Sequence, residues 1–206
     1  MTTLVHETAP PLVLASQSPF RRAMMEKAGL VFATDAARID EDEIKRAMQA
    51  EGASAADVAI KLAESKARRV APRHPGAIVI GSDQMLDCNG VWFDKPADRA
   101  HAVAHLQALA GKTHRLETAA VAIRNGTRVW HHVEAARLTM RPLEAAFIER
   151  YLDAAGENSY LSVGAYQLEG IGAQLFSRVD GDFFTILGLP LLPLLGFLRA
   201  NGVVPD

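Results

Sequence analysis

A chain of 206 residues with a formal net charge of -2 and a pI near 6.4 has no general basic surface, so nucleic acid is not an expected partner and any cationic site must be local. The single cysteine, Cys88, excludes an intrachain disulfide framework and fits a reducing, cytoplasmic compartment. The opening MTTLVHETAPP lacks the basic and apolar regions of a signal peptide, and the longest apolar run, near LGLPLLPLLGFL, is too short for a membrane span and holds two prolines.

Residues 1–10 are expected to be extended or disordered. Leu12-Val13-Leu14 is a short apolar run that predicts a strand buried on both faces. Ser18 suits an N-cap and Pro19 the first helical position, and the helix they open runs through Ala28 to a stop at Gly29. Free N–H groups at a helix start, the hydroxyls of Ser16 and Ser18 and the guanidinium groups of Arg21 and Arg22 all favour a phosphate, although capping serines and solvated arginines would account for the same residues. Val31–Thr34 reads as a second strand leading into an acidic loop, Asp40-Glu41-Asp42-Glu43. A helix is predicted from about Ala55 to Val70, with Val58, Leu62 and Ala63 at helical spacing and Pro72 beyond its end.

Ile78 to Gly81 predicts a buried strand that exits into Ser82-Asp83-Gln84, and Asn89-Gly90 predicts a two-residue hairpin. Pro96 opens a helix to Gly111, a long hairpin turns at Asn125-Gly126, and a helix follows from Leu143 to Ala155. A further hairpin is predicted at Asp180-Gly181, and a last helix from Leu191 to Asn201 with Gly202 behind it. Alternation of strands and helices early, with hairpins later, predicts a mixed α/β sheet.

A carboxylate at the mouth of a buried strand is well placed for catalysis, which singles out Asp83; a turn aspartate capping its own loop is the plainer reading. Lys95, just ahead of a helix, would pass for surface charge if it stood alone. Taken together, Ser16, Ser18, Arg21, Lys66 and Lys95 could grip a polyphosphate, while Asp83 and the Asp40-Glu41 pair could hold Mg²⁺ or Mn²⁺. No P-loop, paired CxxC or HExxH is present, and GxG at Gly170 and Gly172 lacks its third glycine. His131 and His132 would point to opposite faces of a strand, and His101 and His105 lack a third metal ligand.

The motifs LASQSPFRR, IDEDE, KLAESKA, VIGSDQ, FDKP, GKTHRLETAAVAI, GAYQLEGIGA and RVDGDFFTILGLP follow one another in the order of the Maf family, which the chain resembles from about Leu12 to Arg199. The resemblance implies one Maf-like domain over residues 1–206, similar in fold to the inosine-triphosphate pyrophosphatases: mixed α/β, an elongated twisted sheet with flanking helices, and two lobes around a cleft. It implies hydrolysis of a nucleoside triphosphate to the monophosphate and pyrophosphate, a divalent cation (Mg²⁺ or Mn²⁺), no membrane partner, and a homodimer. Carried over by position, Asp83 becomes the catalytic residue, as general base, metal ligand or both; Glu41, with Asp40 beside it, joins it at the metal. Ser16, Ser18, Arg21, Lys66 and Lys95 become the phosphate-binding set.

Three positions of the family look tied to base choice, and here they hold Phe20, Gln84 and Glu169. That combination is similar to the branch preferring 7-methyl-GTP, although Phe20 stands where that branch has Trp or Tyr; the pyrimidine branch has Arg, Thr and Gln. The remaining readings are a broad or dTTP/UTP-preferring pyrophosphatase, and a non-enzymatic nucleotide-binding regulator of septum formation.

Overall fold

The computed structural model describes Val5, His6 and residues 8–205. Of the expected N-terminal arm, residues 1–4 and 7 lie outside the described residues, while the His6 N–H donates to the Val203 carbonyl at 3.1 Å. In chain order the elements are β1 (Leu12–Leu14), α1 (Pro19–Lys27), β2 (Ala33–Thr34), α2 (Glu41–Ala50), α3 (Ala55–Val70), β3 (Ile78–Cys88) and β4 (Val91–Phe93). There follow α4 (Arg99–Leu109), β5 (Thr113–Arg124), β6 (Thr127–Met140), α5 (Ala145–Ala155), β7 (Phe176–Asp180), α6 (Phe183–Ile186) and α7 (Leu191–Ala200).

The strands form one sheet in the order β2-β1-β3-β5-β6-β7, with β4 paired to β3. β1 runs parallel to β2 and β3, with Val13 opposite Ala33 and Val79, whereas β4 on β3 and β7 on β6 are antiparallel. The sheet is therefore mixed, as the alternation of elements predicted. Both two-residue turns also form as expected: Asn89 and Gly90 have φ of 56° and 83°, Asn125 and Gly126 of 51° and 79°, the left-handed pair that asparagine and glycine tolerate.

The chain divides into two units. One holds the residues up to Gln84, Thr118–Glu134 and the stretch from Gly188 onward; the other holds Met85–Glu117 and Ala135–Leu187. In the first unit, α3 buries Val58, Ala59, Leu62, Ala63, Ala67 and Val70. A capping box between Ser54 and Asp57 fixes its start. Gly81 explains how closely helix and strand meet: a Cβ there would lie 2.0 Å from the Ala63 carbonyl oxygen.

In the second unit, Leu106 and Leu109 of α4 and Ile148, Tyr151 and Leu152 of α5 share a core with Leu86, Leu116, Leu138 and Tyr166. His114 is almost fully buried there, its Nε2 2.7 Å from the Tyr166 hydroxyl. Burial holds its pKa down to about 4, below the unfolded value of about 6.5. Between those values the unfolded chain binds the proton more readily, so stability is complete above about pH 6.5 and is lost as pH falls toward 4. Urea unfolding should show a loss on the order of 2 kcal/mol between pH 7 and 5. His114→Gln, which cannot titrate, should flatten that slope; an unchanged slope would assign the acid sensitivity to other groups.

Several sequence expectations need correction. The acidic loop is the start of α2: Asp40 is its N-cap, accepting the Glu43 N–H at 2.9 Å, and Glu41, Asp42 and Glu43 fill the first turn, where the helix dipole favours carboxylates. The second strand is only Ala33–Thr34, because Val31 is exposed and stays outside the ladder. α4 begins at Arg99 and not at Pro96, since Asp98 takes the N-cap. α5 begins at Ala145. No hairpin turns at Asp180-Gly181: β7 ends there, and Asp182 caps α6 by accepting the Thr185 N–H at 2.8 Å. Finally, β3 continues past Gly81 to Cys88, so Asp83 lies within the strand and not at its mouth. Among the described residues, no helix is long and apolar enough to cross a membrane.

Candidate functional site

The first unit gathers most of the charged residues singled out by sequence. Leaving β1, the chain turns sharply: Ser16 Oγ accepts the Ser18 N–H at 3.2 Å, and Ser18 Oγ accepts the Arg21 N–H at 3.4 Å as the N-cap of α1. Pro19 follows at a position where a backbone donor is not needed. One turn on, the Arg21 guanidinium folds back toward this loop, donating from one terminal nitrogen to Ser16 Oγ at 3.3 Å and from Nε to the Gly188 carbonyl at 2.7 Å. Phe20 is half-buried beside it in sequence.

Opposite carboxylates meet a lysine between α2, α3 and β3. Residues two apart on a strand share a face, so Asp83 projects on the same side as Gly81, the position against which α3 packs. Lys66, one turn along α3 from the Ala63 contact, reaches Asp83 Oδ1 at 2.5 Å and Glu41 Oε1 at 2.9 Å. Lys66 and Asp83 are 8% and 6% exposed, so this ion pair is largely shielded from water. Glu41 feels burial, which pushes its carboxyl up, but the charge and hydrogen bond of Lys66, aided by Lys45 and Arg21, more than offset it and leave the pKa lowered. Burial pulls the Arg21 pKa down, against the opposing charges of Asp83 and Glu41.

Asp40 stands apart from this cluster: it is exposed, and its carboxylate is engaged as the cap of α2. Gln84 donates from its amide to Thr118 Oγ at 2.8 Å. Lys95 and Glu169 belong to the second unit. Lys95 is exposed two residues after β4. Glu169 lies on an exposed turn between short 3₁₀ segments, Val163–Ala165 and Ile171–Leu175. Gly164 and Ala165 are both left-handed, at φ of 76° and 65°, and the Tyr151 hydroxyl pins the Ala165 carbonyl at 3.1 Å. Burial, with the Glu169 charge, pushes the Tyr151 hydroxyl up to about 12.

Among the described residues, no group of three or more His, Cys, Asp or Glu is placed to hold a metal by itself. Lys66 pairs with two carboxylates, Asp83 and Glu41, and that number suits the one or two protein carboxylates with which Mg²⁺ is commonly bound beside substrate phosphates. Three residues of this region escape a reading of side-chain chemistry. Gly81 lets α3 close on β3, Gly188 offers a backbone oxygen, and Ser82 is fully buried. Glycine inside an apolar strand, as in VIGSDQ, is the one available signal for the first.

A model of the family described as Maf-like protein matches residues 11–201. A nucleoside triphosphate pyrophosphatase of Paramagnetospirillum magneticum is 62% identical over 190 residues, covering 92% of this chain and 98% of that protein. A 7-methyl-GTP pyrophosphatase of Rhizobium meliloti is 52% identical over 195 residues, covering 95% and 98%. Among solved structures, a nucleoside-triphosphatase / dITP/XTP pyrophosphatase of Mycobacterium abscessus aligns with a TM-score of 0.44 at 18% identity, covering 92% of this chain and 97% of that one. With a family model spanning nearly all of the sequence and relatives sharing half or more of its residues, the chain belongs to the Maf-like protein family.

Proposed function

We propose that this protein is a nucleoside triphosphate pyrophosphatase that cleaves 7-methyl-GTP in preference to other nucleotides. The names of its relatives support the activity, and one observation carries it on this chain: Lys66 bridges the Asp83 and Glu41 carboxylates, and the Arg21 guanidinium lies near enough to feel both charges. Such a cluster combines cations for a polyphosphate with a base for water.

In the reaction, a water oxygen attacks the α-phosphorus, the bond from that phosphorus to the bridging oxygen breaks, and pyrophosphate leaves. Asp83 accepts the proton of the attacking water. Arg21 and Lys66 neutralise charge on the phosphate oxygens, with the Ser18-capped start of α1 adding backbone donors, and Lys95 joins the phosphate-binding set by its motif. A divalent cation, held by Asp83 and Glu41, would supply further charge neutralisation of the phosphates. Asp40, already used as a cap, is not needed for it.

The base preference follows from charge. Methylation at N7 makes guanine cationic, so the Phe20 ring can stack on it and Glu169 can accept from its N1–H and amino edge. The same carboxylate would repel the O4 acceptor of thymine or uracil. Pyrophosphate release should be measured over a panel of nucleotides with Mg²⁺ or Mn²⁺. Glu169→Gln should lower kcat/KM for 7-methyl-GTP at least about tenfold more than for UTP, a range one lost charged hydrogen bond can supply. A wild-type preference for dTTP or UTP, or a loss equal for all bases, would refute the base assignment; no release from any nucleotide would refute the activity.

A further inference from the structure

The Gly188 carbonyl is a hub. It accepts the Arg21 Nε–H at 2.7 Å and, 3.0 Å from Ser82 Oγ, shares the single proton of that hydroxyl with the Ala119 carbonyl on β5 at 2.8 Å. Gly188 has φ of 103°, a backbone conformation that side-chain-bearing residues rarely adopt. Space is not the reason for glycine, because a Cβ would sit 3.5 Å from Arg21 Nε, an ordinary contact. The conformation is what matters, and it goes with a carbonyl turned onto the guanidinium. Ser82 is equally specific. It is 0% exposed on a strand that also buries Ile78, Val79, Ile80, Met85 and Leu86, where a hydroxyl is costly unless it is bonded.

Ser82 is also the residue before Asp83. Two hydrogen bonds and one peptide bond thus link the Arg21 guanidinium to the strand position that carries the carboxylate. With Nε fixed on Gly188 and one terminal nitrogen on Ser16, the orientation of the planar fork is set before any ligand arrives. We propose that Ser82 is a positioning residue: by holding the Gly188 carbonyl, it aims Arg21 at the phosphates of the nucleotide and keeps that cation in register with Asp83. The proposal rests on Arg21 being a phosphate ligand in the proposed function.

Binding of inorganic triphosphate, measured by calorimetry, tests the link without requiring turnover. Ser82→Ala should weaken triphosphate about tenfold while leaving the fold intact by circular dichroism. Arg21→Ala should weaken it at least as much, and the double variant should bind no more weakly than Arg21→Ala alone, because the hydroxyl then has no guanidinium to aim. Ser82→Cys, a similar shape with a weak donor, should fall between wild type and alanine, and serves if the alanine variant does not fold. In steady-state assays the loss should appear in KM, with kcat changed less than about threefold. Equal losses from Ser82→Ala with and without Arg21 would overturn the proposal and leave Ser82 a packing residue, as would unchanged triphosphate binding in both Ser82 variants. Coupled losses in binding by a protein that hydrolyses no nucleotide would uphold the positioning role and remove the activity instead.

Discussion

Asp83→Asn should give a folded protein whose pyrophosphate release is about 10²–10⁴ times slower than wild type, the usual cost of losing a general base. The substitution keeps shape and removes charge. Lys66 would still have Glu41 at 2.9 Å, so the buried ammonium is not left without a counter-charge, and the fold should survive with a modest fall in Tm. Nucleotide binding without a divalent cation, read by calorimetry, should persist or improve, since one negative charge near the phosphates has gone. Turnover within about threefold of wild type would remove Asp83 from the chemistry.

The second large effect is expected at a residue with no functional group. In Gly81→Ala the new methyl would stand 2.0 Å from the Ala63 carbonyl oxygen and 3.0 Å from the Ala67 nitrogen. Both are backbone atoms of α3, so no side chain can swing aside; the helix itself must shift. Overpacking of this kind commonly costs about 1–3 kcal/mol and sometimes more. Because Lys66 rides on the shifted helix, activity should fall along with stability, even in the fraction that remains folded. Gly196→Ala is the control: it lies inside α7 with nothing within 4 Å of the added carbon, and it should stabilise by about 0.5–1 kcal/mol. Equal urea midpoints for the two variants would show that α3 is not held by this contact.

The residues of the charged cluster are legible in the sequence because their side chains stand at marked positions. Ser18 and Pro19 announced the start of α1, the two Asn-Gly pairs announced their turns, and Lys66 fell on a helix whose apolar spacing was plain. Glu41 was found for the right charge in the wrong element. The helix it begins has no fully buried residue, so its apolar rhythm is thin, and four acidic residues in a row resemble a loop as much as a capped first turn. The sequence points to a strand end at Asp83 because Gly-Ser-Asp-Gln reads as a turn. In fact each of those residues has a partner that local sequence does not reveal: Gly81 receives α3, Ser82 shares its proton between the Ala119 and Gly188 carbonyls, Asp83 pairs with Lys66, and Gln84 bonds Thr118. The false hairpin at Gly181 had the same origin, since Asp182 spends its carboxylate on a helix cap.

The hydrogen bond from Arg21 to Gly188 spans 167 positions of the chain, and that separation has a bearing on how the protein is made. A polypeptide leaves the ribosome from its N-terminus at a finite rate, and structure can close only among residues already outside. The guanidinium emerges 167 positions before its backbone acceptor, which lies in a segment that returns to the first unit. A nascent chain can therefore build α1 and α3 long before Arg21 has its Nε partner. A product that terminates between Arg21 and Gly188 would keep only the local Ser16 contact of the guanidinium and lack its Nε acceptor, so the fixed orientation of this arginine is a property of the chain that reaches Gly188.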